Sequence, residues 1–345
     1  NRILFESFHG TTISDSPFYI LKELLSRDDA DKYEIYYSTN PEDYETHKKF
    51  IEANDIPVKL VSITSYKYLK VLATAKYLIN NSSFPVYFIR KDEQVYLQTW
   101  HGTPLKRLVF DMDDVHSANP RYKDIVFKQT RAWDYLLSDN PFSTERFQSC
   151  FRFEKEKILE YGYPANDPMY APDREEQAAK IKEKLGIPKD KKVILYAPTW
   201  RDDQFYEAGQ YGFELDLDVN RLQEEFGDEY VLLLRLHYFI VDQLDLSKYG
   251  DFTVDGSSYD DITDLYLISD MLITDYSSVF FDYANLKRPV LYYTYDLDKY
   301  RDVLRGFYLD MEKDLPGPLL LTNDEVVDAI KNIDKIKEQY KDRYE

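Results

Sequence analysis

Trp100-His101-Gly102-Thr103-Pro104-Leu105-Lys106-Arg107 is answered from the other half of the chain by Leu234-Arg235-Leu236-His237-Tyr238. Each stretch follows a β-rich run, Val95–Thr99 in the first case and Tyr230–Leu236 in the second. Open α/β sheets bind ligands beyond the carboxyl ends of their strands. Two histidines at strand ends in separate halves therefore predict two doubly wound domains, with a reaction centre in the cleft between them. Gly102 allows close approach of backbone to a ligand and Pro104 stiffens the exit, so Gly102 and Thr103 are candidate substrate contacts. Histidine has an unperturbed pKa of about 6.5 and accepts a proton near neutrality; His101 and His237 are the candidate catalytic pair.

Outward from these stretches, short β-rich runs alternate with helix-like segments. Arg2–Glu6, Tyr33–Ser38, Val58–Val61, Ala75–Asn80, Val95–Thr99 and Tyr135–Ser138 read as strands, with helices near Pro17–Ser26 and Tyr44–Asn54. Tyr161-Gly162-Tyr163-Pro164-Ala165-Asn166-Asp167-Pro168 is a cluster of turn formers, and the domain boundary is expected there, near residue 170. The scheme then repeats. Strands are expected at Val193–Ala197, Tyr230–Leu236, Met271–Thr274 and Pro289–Tyr292, and helices at Asp173–Leu185, Asp218–Phe226, Asp261–Ile268, Ser278–Asn285 and from Asn323 onward. Alternating β and α at this spacing is the pattern of a parallel sheet covered by helices.

At 345 residues the chain is long enough for two ordinary cores. Its net charge of −19 argues against non-specific nucleic-acid binding, which needs a basic footprint. Even so, Lys106, Arg107, Arg201, Arg235, Lys287, Arg288, Arg301 and Arg305 gather near the motifs, as suits a pocket for a compact anion. No apolar run is long enough to span a bilayer, and the start of the chain shows no signal peptide; a cytoplasmic chain or an excised domain is expected. The single Cys150 reads as a buried hydrophobe.

Further candidates follow from local chemistry. Thr274-Asp275-Tyr276-Ser277-Ser278-Val279 reads as strand, turn and helix start, where unsatisfied N–H groups attract phosphate oxygens. Asp275, Ser277 and Ser278 are the candidates there; the plainer alternative is a serine that caps the helix. Pro198 ends a buried strand and sends Thr199 and Arg201 to the same edge, where the guanidinium's planar fork suits phosphate. The alternative for Arg201 is a surface pair with Asp202 or Asp203. Arg235 and His237 share a strand face and would hold a phosphate jointly. His9 follows the first strand and is placed on the acceptor side, His47 reads as a solvent-exposed helix residue, and His116 has no assigned role. No His/Cys cluster has metal-site spacing, so no structural metal and no resident cofactor are expected, which leaves room for a Mg²⁺ on substrate phosphates.

These stretches, with Phe5-Glu6-Ser7-Phe8-His9-Gly10, Tyr196–Asp203, Lys287-Arg288-Pro289, Leu304-Arg305-Gly306-Phe307-Tyr308 and Asp314-Leu315-Pro316-Gly317-Pro318, stand in an order that closely resembles one family. It is the CDP-glycerol:poly(glycerophosphate) glycerophosphotransferases, the teichoic acid polymerases of Gram-positive bacteria, with their primases and ribitol-phosphate polymerases. The resemblance implies a GT-B-like fold of two Rossmann-type domains, an acceptor-side domain over 1–170 and a CDP-donor-binding domain over 171–345. It implies that CDP-glycerol is the donor and a lipid-linked glycerol-phosphate polymer at the inner face of the cytoplasmic membrane the acceptor. His101 and His237 match the family's required histidines, and Ser277 and Ser278 its donor-phosphate motif. Arg305, on a Gly-adjacent segment before Pro316-Gly317-Pro318, is read as part of a lid over the donor, with a structural turn as the equal alternative. The chain reads as an excised catalytic region, without the family's membrane-proximal portion. A CDP-ribitol transferase, a primase, a nucleotide-sugar glycosyltransferase and a non-catalytic scaffold are the alternatives.

Overall fold

The apolar runs of this chain are too continuous for strands wetted on one side: Val193–Tyr196, Tyr230–Leu234, Met271–Thr274 and Val290–Tyr293 are buried at every position. Such runs belong to parallel sheets covered on both faces. The computed structural model describes residues 1–112, 121–199, 215–236, 245–299 and 306–344, and in it the chain forms two units, Asn1–Asp167 and Pro168–Glu345. The division falls within the turn-rich stretch that ends at Pro168.

The first unit runs β1 (Arg2–Glu6), α1 (Asp15–Leu25), β2 (Glu34–Thr39), α2 (Tyr44–Ala53), β3 (Lys59–Ser62), α3 (Tyr66–Thr74), β4 (Tyr77–Asn80), β5 (Val95–Gln98), α4 (Tyr122–Thr130), β6 (Tyr135–Ser138), α5 (Pro141–Cys150) and β7 (Ile158–Glu160). All seven strands pair in parallel in the order β3-β2-β1-β4-β5-β6-β7. Side chains alternate across the sheet. Leu4, Tyr36 and Leu78 join Tyr68 and Val71 of α3 and Phe147 of α5 in one core. Ile3, Phe5, Ile35, Tyr37 and Ile79 meet Phe18 and Leu21 of α1 and Ile51 of α2 in the other. Each large side chain so buried stabilises the unit by about 1.5–3 kcal/mol relative to exposure.

The second unit runs α6 (Arg174–Lys184), β8 (Lys192–Tyr196), α7 (Val219–Phe226), β9 (Tyr230–Leu234), β10 (Thr253–Asp255), α8 (Ile262–Ile268), β11 (Met271–Thr274), α9 (Val279–Tyr283), β12 (Val290–Tyr293), β13 (Leu319–Leu320), α10 (Asn323–Lys331) and α11 (Ile333–Tyr340). Its parallel order, β10-β9-β8-β11-β12-β13, repeats the Rossmann order of the first. A capping box, Thr322 with Glu325, starts α10.

In each unit the order reverses beside the first strand, between β1 and β4 and between β8 and β11. That switch point is where such sheets leave a crevice at the carboxyl edge. In the register there, Glu6 lies opposite Asn80, and Tyr196 opposite Ile273. The predicted helix over Ser278–Asn285 is shorter than expected: α9 ends at Tyr283, and a 3-10 turn, Ala284–Leu286, stops at Lys287 in the left-handed region.

Candidate active site

Among the strands of the first sheet that end in buried polar residues are β1 with Glu6, β4 with Asn80 and β5 with Gln98. The loop that follows β4, Asn81–Ser83, lies at the centre of what they organise. Asn80 Oδ1 accepts the Ser82 N–H (2.7 Å) and hydroxyl (3.1 Å). Gln98 donates to the Ser82 carbonyl (2.6 Å) and accepts the Trp100 N–H (2.8 Å). Phe8 and His9 donate their N–H groups to Asn81 Oδ1 (2.8 Å) and Ser82 Oγ (3.2 Å).

His101 keeps surface in contact with solvent, while its ring is packed on Trp100 at 4.5 Å between centroids and set edge-on to Phe8, which removes water from part of the imidazole. Its Nδ1 lies 2.6 Å from the Asn81 carbonyl oxygen. A carbonyl only accepts, so Nδ1 carries the proton and Nε2 presents a lone pair. Loss of water around the ring lowers its pKa, the Asn81 carbonyl opposes the shift, and the nearby His9 adds to it. The ring is therefore a neutral base at neutral pH. His9 is also exposed, and its Nδ1 lies 3.0 Å from the Ser83 carbonyl oxygen.

The backbone here is strained: Phe8, His9 and Trp100 have φ of 46°, 58° and 56°. Each such conformation costs about 1–3 kcal/mol and persists only where its surroundings enforce it. Gly102, at φ 143°, occupies backbone space that disfavours a side chain, and its carbonyl accepts the Tyr163 hydroxyl at 3.3 Å.

Thr103 departs from the sequence expectation. It is buried, and its hydroxyl donates to Asp139, which also receives Asn140 Nδ2 at 2.9 Å; Asn140 in turn caps α5. The polar group expected to meet substrate ties the histidine loop to a helix instead. His47 is likewise corrected: it is buried at 3% exposure, with Nδ1 2.5 Å from Thr39 Oγ1.

In the second unit the exits of β8 and β11 are stitched together. Thr274 Oγ1 donates to the Ala197 carbonyl (2.7 Å), and Asp275 Oδ1 accepts the N–H groups of Thr199 (2.8 Å) and Tyr276 (2.6 Å). Asp275 is buried, so its carboxylate shapes the loop rather than facing ligand. Ser277 and Ser278 are half-buried at the start of α9; Ser278 makes no side-chain cap, and Ser277 Oγ accepts the Val279 N–H at 3.4 Å. Arg235 is half-buried. Its Nη1 is directed at the carbonyls of Gly256 (2.8 Å), Ser257 (2.8 Å) and Tyr259, clamping the loop after β10. Burial lowers its pKa, though it stays charged.

Arg201, His237, Arg305 and His116 lie outside the described residues. Among the described residues, no group of three or more His, Cys, Asp or Glu is arranged to hold a metal ion. Sequence reading missed Asn81–Ser83, whose working groups are backbone carbonyls. The detectable signal was the polar residue closing each apolar strand.

Each unit is thus a parallel Rossmann-type sheet, and the first carries a histidine just beyond the end of β5. A family model described as CDP-glycerol:poly(glycerophosphate) glycerophosphotransferase matches residues 1–345, and the chain belongs to that family. It is 47% identical over 334 residues to the teichoic acid poly(glycerol phosphate) polymerase of Bacillus subtilis (strain 168), covering 96% of this chain and 44% of that protein. Identity is 46% over 331 residues to the protein of the same name from Bacillus spizizenii (strain ATCC 23059 / NRRL B-14472 / W23), covering 95% and 82%. The solved structure of the wall teichoic acid polymerase TagF superposes with a TM-score of 0.89 at 43% identity, covering 99% of this chain and 82% of that one. The chain thus spans less than half the length of the first of these relatives.

Proposed function

We propose that this chain transfers glycerol phosphate from CDP-glycerol to the terminal hydroxyl of a lipid-linked poly(glycerol phosphate), releasing CMP. The acceptor oxygen attacks the phosphorus that carries glycerol, and its proton passes to Nε2 of His101. The P–O bond to CMP breaks, and CMP leaves with the bonding electrons. Catalysis of this kind is positioning and charge stabilisation. His237, Arg201 and the Ser277/Ser278 turn serve the donor phosphates. Asp275 holds the loops after β8 and β11, Thr103 holds the loop of His101, and Arg235 clamps the loop after β10. The chemistry needs no resident cofactor; a Mg²⁺ would arrive on the donor phosphates.

The observation that carries this reading is the contact of His101 Nδ1 with a backbone carbonyl, which commits Nδ1–H there and leaves Nε2 as a base in a ring whose pKa is lowered. Family membership supplies the donor and acceptor classes. Among the described residues no helix is long and apolar enough to cross a membrane, and attachment at the inner membrane face would be peripheral. The test is acceptor-dependent CMP release in wild type and His101→Ala. A drop of about 10²–10⁴ is expected for loss of a general base, and unchanged turnover would remove His101 from the role.

A further inference from the structure

We propose, on the reading of His101 as the acceptor's base, that His9 and His101 form a pair of imidazoles aimed by one loop, receiving the two neighbouring hydroxyls of the acceptor's glycerol end. His101 takes the reacting hydroxyl and His9 holds the adjacent one.

The two rings are fixed in the same way. Each gives Nδ1–H to a main-chain carbonyl of the loop after β4, His101 to Asn81 and His9 to Ser83. In the neutral ring this leaves both Nε2 atoms as hydrogen-bond acceptors. Both side chains are exposed. A glycerol end offers two hydroxyl donors on adjacent carbons, which two acceptors match.

The loop is built to hold this pairing. Asn80 turns its oxygen to Ser82 and its amide nitrogen to Glu6 Oε1 at 3.2 Å. Glu6 Oε2 is fixed in turn by the Ser38 (2.7 Å) and Tyr68 (3.0 Å) hydroxyls. Glu6 Oε1 accepts from the Asn80 amide nitrogen, so Glu6 sets which way the buried Asn80 amide faces. Asn81 Nδ2 is buried and finds no hydrogen-bond partner among the described residues, and Phe8, His9 and Trp100 hold positive φ around it. An orphaned donor and three strained residues at one loop are tolerated where they serve a site. Glu6 and Asn80 are positioning residues beneath it.

Two measurements on the full chain test this. Ring ¹⁵N NMR of wild type should find both histidines protonated at Nδ1. Ser82→Ala, which removes the hydroxyl that receives the His9 N–H, should disturb His9 and spare His101. Asn80→Ala should disturb both and lower kcat about tenfold to a hundredfold. An Nε2–H tautomer on either wild-type ring, or both rings unchanged in the two variants, would overturn the template. If Asn80→Ala does not fold, Ser82→Ala decides alone.

The kinetic arm compares acceptors ending in glycerol and in a deoxy analogue that lacks the adjacent hydroxyl. Wild type should show an acceptor KM at least tenfold higher for the analogue, and His9→Ala should show no such difference. Equal preference in wild type and His9→Ala would overturn the diol assignment. Absence of CMP release from wild type with either acceptor would instead sink the transferase reading, and the spectra are independent of it.

Discussion

The chemistry assigned to His101 depends on which ring nitrogen carries the proton. With Nδ1–H committed to Asn81, protonation of Nε2 abolishes the base. Because the pKa lies below its ordinary value of 6.5, kcat/KM should be flat near neutrality and fall on the acid side with a midpoint below that value. A midpoint above it would contradict the environment described. Glu6 carries the opposite sign. Burial outweighs its three hydrogen bonds and raises its pKa from 4.5 to about 7. The folded chain then binds the extra proton between these values. Its contribution is fully present below pH 4.5 and lost as pH rises through about 7, a change of about 3 kcal/mol. Urea denaturation across this range should show stability falling with pH in wild type and a flatter profile in Glu6→Gln; identical profiles would refute the assignment.

At the scale of elements, the loops after β8 and β11 depend on one carboxylate. Asp275→Ala leaves the Thr199 and Tyr276 N–H groups without that acceptor, and each buried loss costs about 1–3 kcal/mol. Asp275→Asn keeps an acceptor oxygen and should be milder by urea denaturation; equal behaviour of both variants would show that charge, not the loop's hydrogen bonds, is what matters. The interior strands were legible in sequence because burial on both faces makes continuous apolar runs. Three of the four edge strands, β7, β10 and β13, span three, three and two residues, too short to show a period. His101 stood out through its glycine and proline neighbours. Thr103, Arg235 and Asp275 were recognisable by type, but nothing in a sequence says that a hydroxyl, a guanidinium or a carboxylate turns inward to hold a loop. The Asn81–Ser83 loop was illegible for a related reason: it acts through backbone carbonyls, which every residue has.

For the whole molecule, two Rossmann-type units carry different halves of the proposed reaction. All three histidines with described positions, His9, His47 and His101, belong to the first, and the serine turn to the second. CDP-glycerol at 100 times its Kd should add about 2.7 kcal/mol of stability. In hydrogen exchange, protection should concentrate at Ala197–Thr199 and Asp275–Val279. Protection confined to the first unit would reverse the donor assignment. The charge of −19 is no obstacle to an anionic donor if cations are gathered locally.

The most direct test is CMP release from CDP-glycerol and from CDP-ribitol, each with a short lipid-linked glycerol-phosphate acceptor, in wild type and in His101→Ala. Acceptor-dependent release from CDP-glycerol, lost in the variant and absent with CDP-ribitol, is the expected result. Release from neither donor, or release undiminished in His101→Ala, would contradict the account.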